Sequence, residues 1–163
     1  MEFYCFDTQL GTMALEEEGG AIRRLYLPDR PMPRLASRPT PLLERGREQL
    51  LSYLAGERQR FDLPLAPTGT PFQRRVWQAL EEIPYGEVRS YRELAEAVDC
   101  PRGFRAVGMA NHRNPIPIFI PCHRVIGADG SLTGYAGGIA LKQALLAIEG
   151  VRLERGRVGK DLT

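Results

Sequence analysis

Short alternating apolar segments open the chain. FYCFDT, TMALEE and AIRRLYL are separated by QLG and EGG, a pattern that predicts strands joined by hairpin turns. PDRPMPRLASRPTP, with five prolines, predicts a loop over the surface. LLERGREQLLSYLAGE then sets Leu43, Leu50, Leu51 and Leu54 at helical spacing, with Gly56 as a stop. RFDLPLAPTGTP predicts one more short strand followed by a linker. Residues 1–69 thus read as a small α+β unit with no constellation of chemical groups, and Cys5 reads as a core residue.

The texture changes at Thr70. TPFQRRVWQALEEIPYG predicts a helix capped by Thr70, with Pro71 in its first turn and Phe72, Val76, Trp77 and Leu80 on one face. SYRELAEAV opens with Ser90 and Glu93 in capping-box spacing and buries Leu94, Ala95 and Val98. DCPRG is a turn, and FRAVGMANHR a second short helix rich in small residues. Two short helices across a tight turn, the second bearing arginines, read as helix-turn-helix. Asn114-Pro115 ends that helix, and the apolar run through Ile120 predicts a buried strand or extended segment with Cys122 at its end. ADGSLTGYAGG is a glycine-rich turn and loop. IALKQALLAIEG is a last helix, with Leu141, Leu145, Leu146 and Ile148 inward, and VRLERGRVGKDLT a polar tail that frays. The fold class is α+β, in two domains, 1–69 and 70–163, the second mostly helical.

Composition narrows the function classes. The 163 residues are 43% hydrophobic, and no apolar run reaches the roughly 18 to 20 residues that span a bilayer. MEFYCFDTQL lacks the basic leader and apolar core of a signal peptide, so a cytoplasmic protein is expected. Cys5, Cys100 and Cys122 lie far apart without a CxxC pair, which argues against a disulfide framework. With only His112 and His123 as histidines, no metal site is expected. Net charge is only +2, but from Cys100 through Gly127 there are four arginines (Arg102, Arg105, Arg113, Arg124) and no acid. Such a stretch is either a solvated face or the footprint of a polyanion. Cys122, in IFIPCHRVIG, is likewise either core filler or a nucleophile with His123 beside it.

RAVGMANHRNPIPIFIPCHRVI, followed by GYAGG and ALKQALLAIEG, resembles the O6-alkylguanine-DNA alkyltransferases, or methylated-DNA–protein-cysteine methyltransferases. The resemblance covers roughly Thr70 to Gly150 and includes GTPFQRRVWQALEEIPYGEVRSYRELA. It implies a ribonuclease H-like first unit and a winged-helix-like second. It also implies single-turnover transfer of an alkyl group from O6-alkylguanine in duplex DNA, and conceivably from O4-alkylthymine, to Cys122, by a monomer without a cofactor. His123 would draw the thiol proton through a water, and Glu149 would hold that histidine's other nitrogen. Tyr91 would protonate the departing base with Lys142 beside it, and Asn114 would be the hinge between helix and cysteine segment. Arg105 would fill the space of a flipped nucleotide, with Ala106 and Gly108 keeping the helix slim in the minor groove, and Arg113 and Arg124 counted among the DNA contacts. Val125 and the Gly134–Gly138 loop, including Tyr135, Ala136 and Gly137, would hold the base.

Departures sharpen the expectation. Ala136 stands where many members carry a serine, which predicts weaker guanine selectivity with activity retained. ANHR is unusual before NP, and His112 is expected to be exposed or to touch phosphate. Cys5 coincides with one zinc ligand of some members, but no histidine accompanies it. The competing classes are an alkyltransferase-like lesion binder without transfer activity, a transcription regulator with a redox-sensing cysteine, and a Cys-His hydrolase. The presence of Cys122 separates the first from a transferase.

Overall fold

The computed structural model describes residues 1–132 and 134–159. Two compact units emerge, Met1–Thr68 with Pro115–Phe119, and the described residues of 69–114 and 120–159. Five residues of the NPIPIFI run therefore group with the first unit although they lie deep within the sequence of the second.

In the first unit β1 (Glu2–Thr8), β2 (Gly11–Glu18) and β3 (Ala21–Tyr26) form an antiparallel meander in chain order. Helix α1 (Pro41–Leu54) starts where Thr40 Oγ1 accepts from the Leu43 amide, with proline in the first turn. Its Leu43, Leu50, Tyr53 and Leu54 are buried with Met13, Leu15 and Ile22 of the sheet, each fully buried aliphatic side chain contributing about 1.5–3 kcal/mol. Gly46 permits the approach, since a Cβ there would lie 2.7 Å from Leu15 Cδ1. The strand expected in RFDLPLAP is only an isolated bridge: the Ile22 amide donates to Pro64 O and the Ala66 amide to Ile22 O. Pro64 and Pro67 have no N–H, so the ladder cannot extend. Cys5 is half-buried rather than in the core, its Sγ 4.0 Å from Met32 Sδ.

The apolar run 115–120 is not a strand. Prolines at 115, 117 and 121 remove ladder donors, and Ile118 turns the backbone at φ +74°. The run is anchored in the first unit instead, where the Leu25 amide donates to Pro115 O at 3.0 Å and the Phe119 ring packs on Phe61 at 4.5 Å.

The second unit begins with α2 (Pro71–Glu81), closed by a Thr70/Gln73 capping box, with Val76, Trp77 and Leu80 buried. Two-residue β4 (Arg89–Ser90) leads into α3 (Tyr91–Ala97), where the Ser90/Glu93 box forms as its spacing predicts. A tight turn closed by the Gly103 amide on Cys100 O precedes α4 (Phe104–His112). Trp77 Nε1 donates to Ala110 O at 2.8 Å and ties α2 to α4. After a single 3-10 turn, Cys122–Arg124, β5 (Val125–Ile126) pairs in parallel with β4. Helix α5 (Ile139–Ile148) follows. The tail does not fray as far as it is described: β6 (Leu153–Glu154) and β7 (Arg157–Val158) form a hairpin, and Val151 and Val158 are buried with Ile126, Leu132 and Leu146. Residues 160–163 of that tail lie outside the described residues. No helix among the described residues is long and apolar enough to cross a membrane.

Candidate active site in the second unit

The β4–β5 pairing sets Ser90 opposite Ile126, so Tyr91 at the start of α3 and the Cys122–Arg124 turn are fixed to one short ribbon. Cys122 is 4% exposed. Burial pushes its thiol up to about 11, against the lowering influence of a hydrogen bond from the Asn114 side chain and the nearby Lys142 charge. At neutral pH the sulfur therefore rests as S–H, and ionising it requires a base.

A histidine is adjacent. His123 is fully buried, and burial lowers its pKa, a Glu149 hydrogen bond and charge acting in the opposite direction. His123 Nε2 lies 2.7 Å from Glu149 Oε2. A carboxylate only accepts, so the ring proton sits on Nε2 and Nδ1 is the basic nitrogen. Burial alone would raise Glu149, but hydrogen bonds and charge from His123 and Arg124 outweigh it and hold the carboxyl at about 2. The Gly86 amide donates to the same carboxylate at 3.2 Å.

Arg124 is a correction. Counted with the DNA-contacting arginines, it is 7% exposed and faces inward. Its Nε and Nη2 grip Glu149 Oε1 and Oε2 at 2.8 and 3.0 Å, and Nη1 donates to Ile83 O at 2.6 Å. A guanidinium committed to an interior fork cannot reach a phosphate. Arg105 and Ala106 are exposed on α4, with exposed Arg102 just before it and Arg113 capping its end, whereas Gly108 is half-buried, a Cβ there lying 3.8 Å from Tyr91 Cε1.

Lys142 on α5 is completely buried and donates to Val125 O at 2.5 Å; burial lowers its ammonium to about 8, with Cys122 acting to raise it. Asn114 Nδ2 donates to Ile120 O at 2.8 Å and closes the excursion of residues 115–119. Val125 is buried in β5, Tyr135 is buried, and Ala136 and Gly137 are half-buried in the turn before α5. Asn111 was not singled out by sequence: it is buried, and its Nδ2 sits 3.4 Å from Cys122 O, a second tie from α4 to the cysteine turn. Its signal was a polar residue on the inner face of an otherwise apolar helix stripe. Gly86 gave none beyond the helix-breaking PYG. Among the described residues no cluster of three His, Cys, Asp or Glu side chains could hold a metal ion.

A buried cysteine, histidine and carboxylate, in the same unit as two short helices joined by a tight turn, define a cysteine-centred site in an α+β protein. The family model described as 6-O-methylguanine DNA methyltransferase, DNA binding domain, matches residues 71–151. The constitutive methylated-DNA–protein-cysteine methyltransferase of Bacillus subtilis is 50% identical over 151 residues, 88% of this chain and 92% of that protein. The methyltransferase of Mycobacterium tuberculosis is 43% identical across 100% of this chain and 98% of its own. A crystal structure of Mycobacterium tuberculosis OGT in complex with DNA superposes with a TM-score of 0.86 at 42% identity, covering 96% of this chain and 97% of that one. The chain belongs to the methylated-DNA–protein-cysteine methyltransferase family, and its α+β fold is that of the family's solved structures.

Proposed function

We propose that the protein repairs DNA by moving the alkyl group of O6-alkylguanine in duplex DNA onto Cys122, once per molecule. The carrying observation is the 2.7 Å contact of His123 Nε2 with a Glu149 carboxylate held ionised, which leaves Nδ1 as the base for a buried thiol. The Cys122 proton passes through a water to His123 Nδ1, and the thiolate attacks the alkyl carbon as the C–O6 bond breaks. The guanine anion takes a proton from the Tyr91 hydroxyl, and the Lys142 ammonium balances the charge left there. The imidazolium proton passes through solvent to the Tyr91 phenolate, which restores both side chains, so the net products are guanine and S-alkylcysteine. A thioether is not cleaved by water, so there is no second turnover.

A base stacked in a duplex hides its O6, and turning it out costs a few kcal/mol. Arg105, exposed on α4, is the residue to fill that gap from the minor groove, with Ala106 and Gly108 permitting close approach and Arg102 and Arg113 meeting phosphates. Val125 and residues 134–138 hold the extruded base, and Ala136, lacking a serine hydroxyl, selects guanine less strictly. O4-alkylthymine is the second substrate. In this reading the first unit is ribonuclease H-like, the second winged-helix-like, and a monomer acts in the cytoplasm.

Incubation with duplex carrying O6-methylguanine tests the proposal. One methyl mass on the Cys122 peptide, in stoichiometric yield and absent from Cys122→Ser, is expected. A bare thiol with the lesion bound and intact would instead establish a lesion-binding protein.

A further inference from the structure

His112 sits at the C-terminal end of α4 on its exposed side, and its Nδ1 lies 3.2 Å from Gly134 O. A carbonyl only accepts, so Nδ1 carries a proton and donates, as either a neutral ring or an imidazolium. Gly134 opens the GYAGG loop in the left-handed region, at φ +68°. It lies close against Tyr91, for a Cβ on it would be 3.3 Å from the Tyr91 hydroxyl oxygen. One turn before His112, Gly108 faces the same tyrosine ring. A single helix thus meets Tyr91 through Gly108 and holds, through His112, the loop segment that lies at the tyrosine hydroxyl.

We propose that His112 is a positioning residue that pins the start of the 134–138 loop beside Tyr91, so that docking of α4 on DNA and placement of the base-holding loop are one mechanical event. This rests on the proposed function and deepens it: the residue acts on the loop through its carbonyl, and contacts neither phosphate nor base. An exposed hydrogen bond of this kind shifts a local equilibrium by roughly 2- to 10-fold, which sets the size of the effect.

Three variants separate the roles. His112→Ala removes the donor. His112→Asn restores it, because the Asn side-chain nitrogen stands on Cγ as Nδ1 does. His112→Lys places a cation there without the short reach. The readouts are the single-turnover rate on O6-methylguanine duplex at saturating protein, affinity for undamaged duplex, and amide hydrogen exchange across residues 135–138. The expected result for His112→Ala is a rate lowered about 3- to 10-fold, affinity for undamaged duplex unchanged, and faster exchange in the loop, all reversed by His112→Asn. Unchanged loop exchange in His112→Ala would overturn the proposal, as would a rate and affinity kept by His112→Lys and lost by His112→Asn, which marks a phosphate contact. The exchange measurement needs no alkyl transfer, so it reads the tether even if the methyl-mass experiment were to fail.

Discussion

Arg124 and Glu149 meet as a two-pronged ion pair in the interior of the second unit, Nε to Oε1 at 2.8 Å and Nη2 to Oε2 at 3.0 Å. The carboxylate that orients His123 is thus itself held from behind by a guanidinium. The histidine and the arginine converge on one acid.

Removing one partner of a buried pair strands the other, at a cost of about 3–5 kcal/mol. Arg124→Met is expected to lose stability on that scale in denaturant titrations while leaving affinity for undamaged duplex unchanged. Arg113→Ala, at an exposed position proposed to meet phosphate, is expected to do the reverse, weakening duplex binding and flattening its salt dependence by about one counterion.

Acid sensitivity follows from the same cluster. Glu149 is held at about 2, below its ordinary 4.5, so its contribution is complete above that ordinary value and disappears as the pH falls through about 2. The contribution is about 3 kcal/mol. His123 is held below its ordinary 6.5, so an unfolded chain takes up this proton first and folding weakens as the pH drops from about that point. Both groups destabilise on acidification. Denaturation midpoints followed from pH 7 to pH 3 should fall continuously, and Glu149→Gln should flatten the lower part of the curve.

Much of this architecture is legible in the chain. Thr70 and Ser90 announce their helices because a cap is a local bond between residues three apart, and both boxes form. The PCHRV segment with its downstream EG announces the cysteine, histidine and glutamate that the fold brings together. Arg124 misleads because arginine looks the same in sequence whether it faces a phosphate or a buried carboxylate; only its 25-residue separation from Glu149, closed by the fold, decides. The apolar run at 116–120 misleads for a different reason. Its hydrophobicity matches a strand, but prolines at 115, 117 and 121 remove ladder donors. In the tail, Val151, Leu153 and Val158 around Arg155-Gly156 are a hairpin signal hidden by surrounding charge.

Tyr91→Phe removes the proposed proton donor to the leaving base. A positioned acid contributes typically 10²–10⁴-fold, and a loss of about 10²-fold in single-turnover rate is expected with lesion binding retained. An unchanged rate would remove Tyr91 from the chemistry.

Gly134→Ala forces a side chain into a backbone at φ +68° and places a methyl 3.3 Å from the Tyr91 hydroxyl oxygen. The conformation costs about 1–2 kcal/mol. A rate lowered about 10-fold together with a thermal midpoint lowered by about 2–8 °C is the expected pattern.

The depth of Cys122 has a bearing on time. Oxidation begins from the ionised sulfur, and burial, which pushes the thiol up to about 11, keeps that form scarce at neutral pH. Under the proposed function, in which the protein reacts once and is not regenerated, such reticence amounts to shelf life: peroxides and stray electrophiles meet a closed door until the one encounter that opens it.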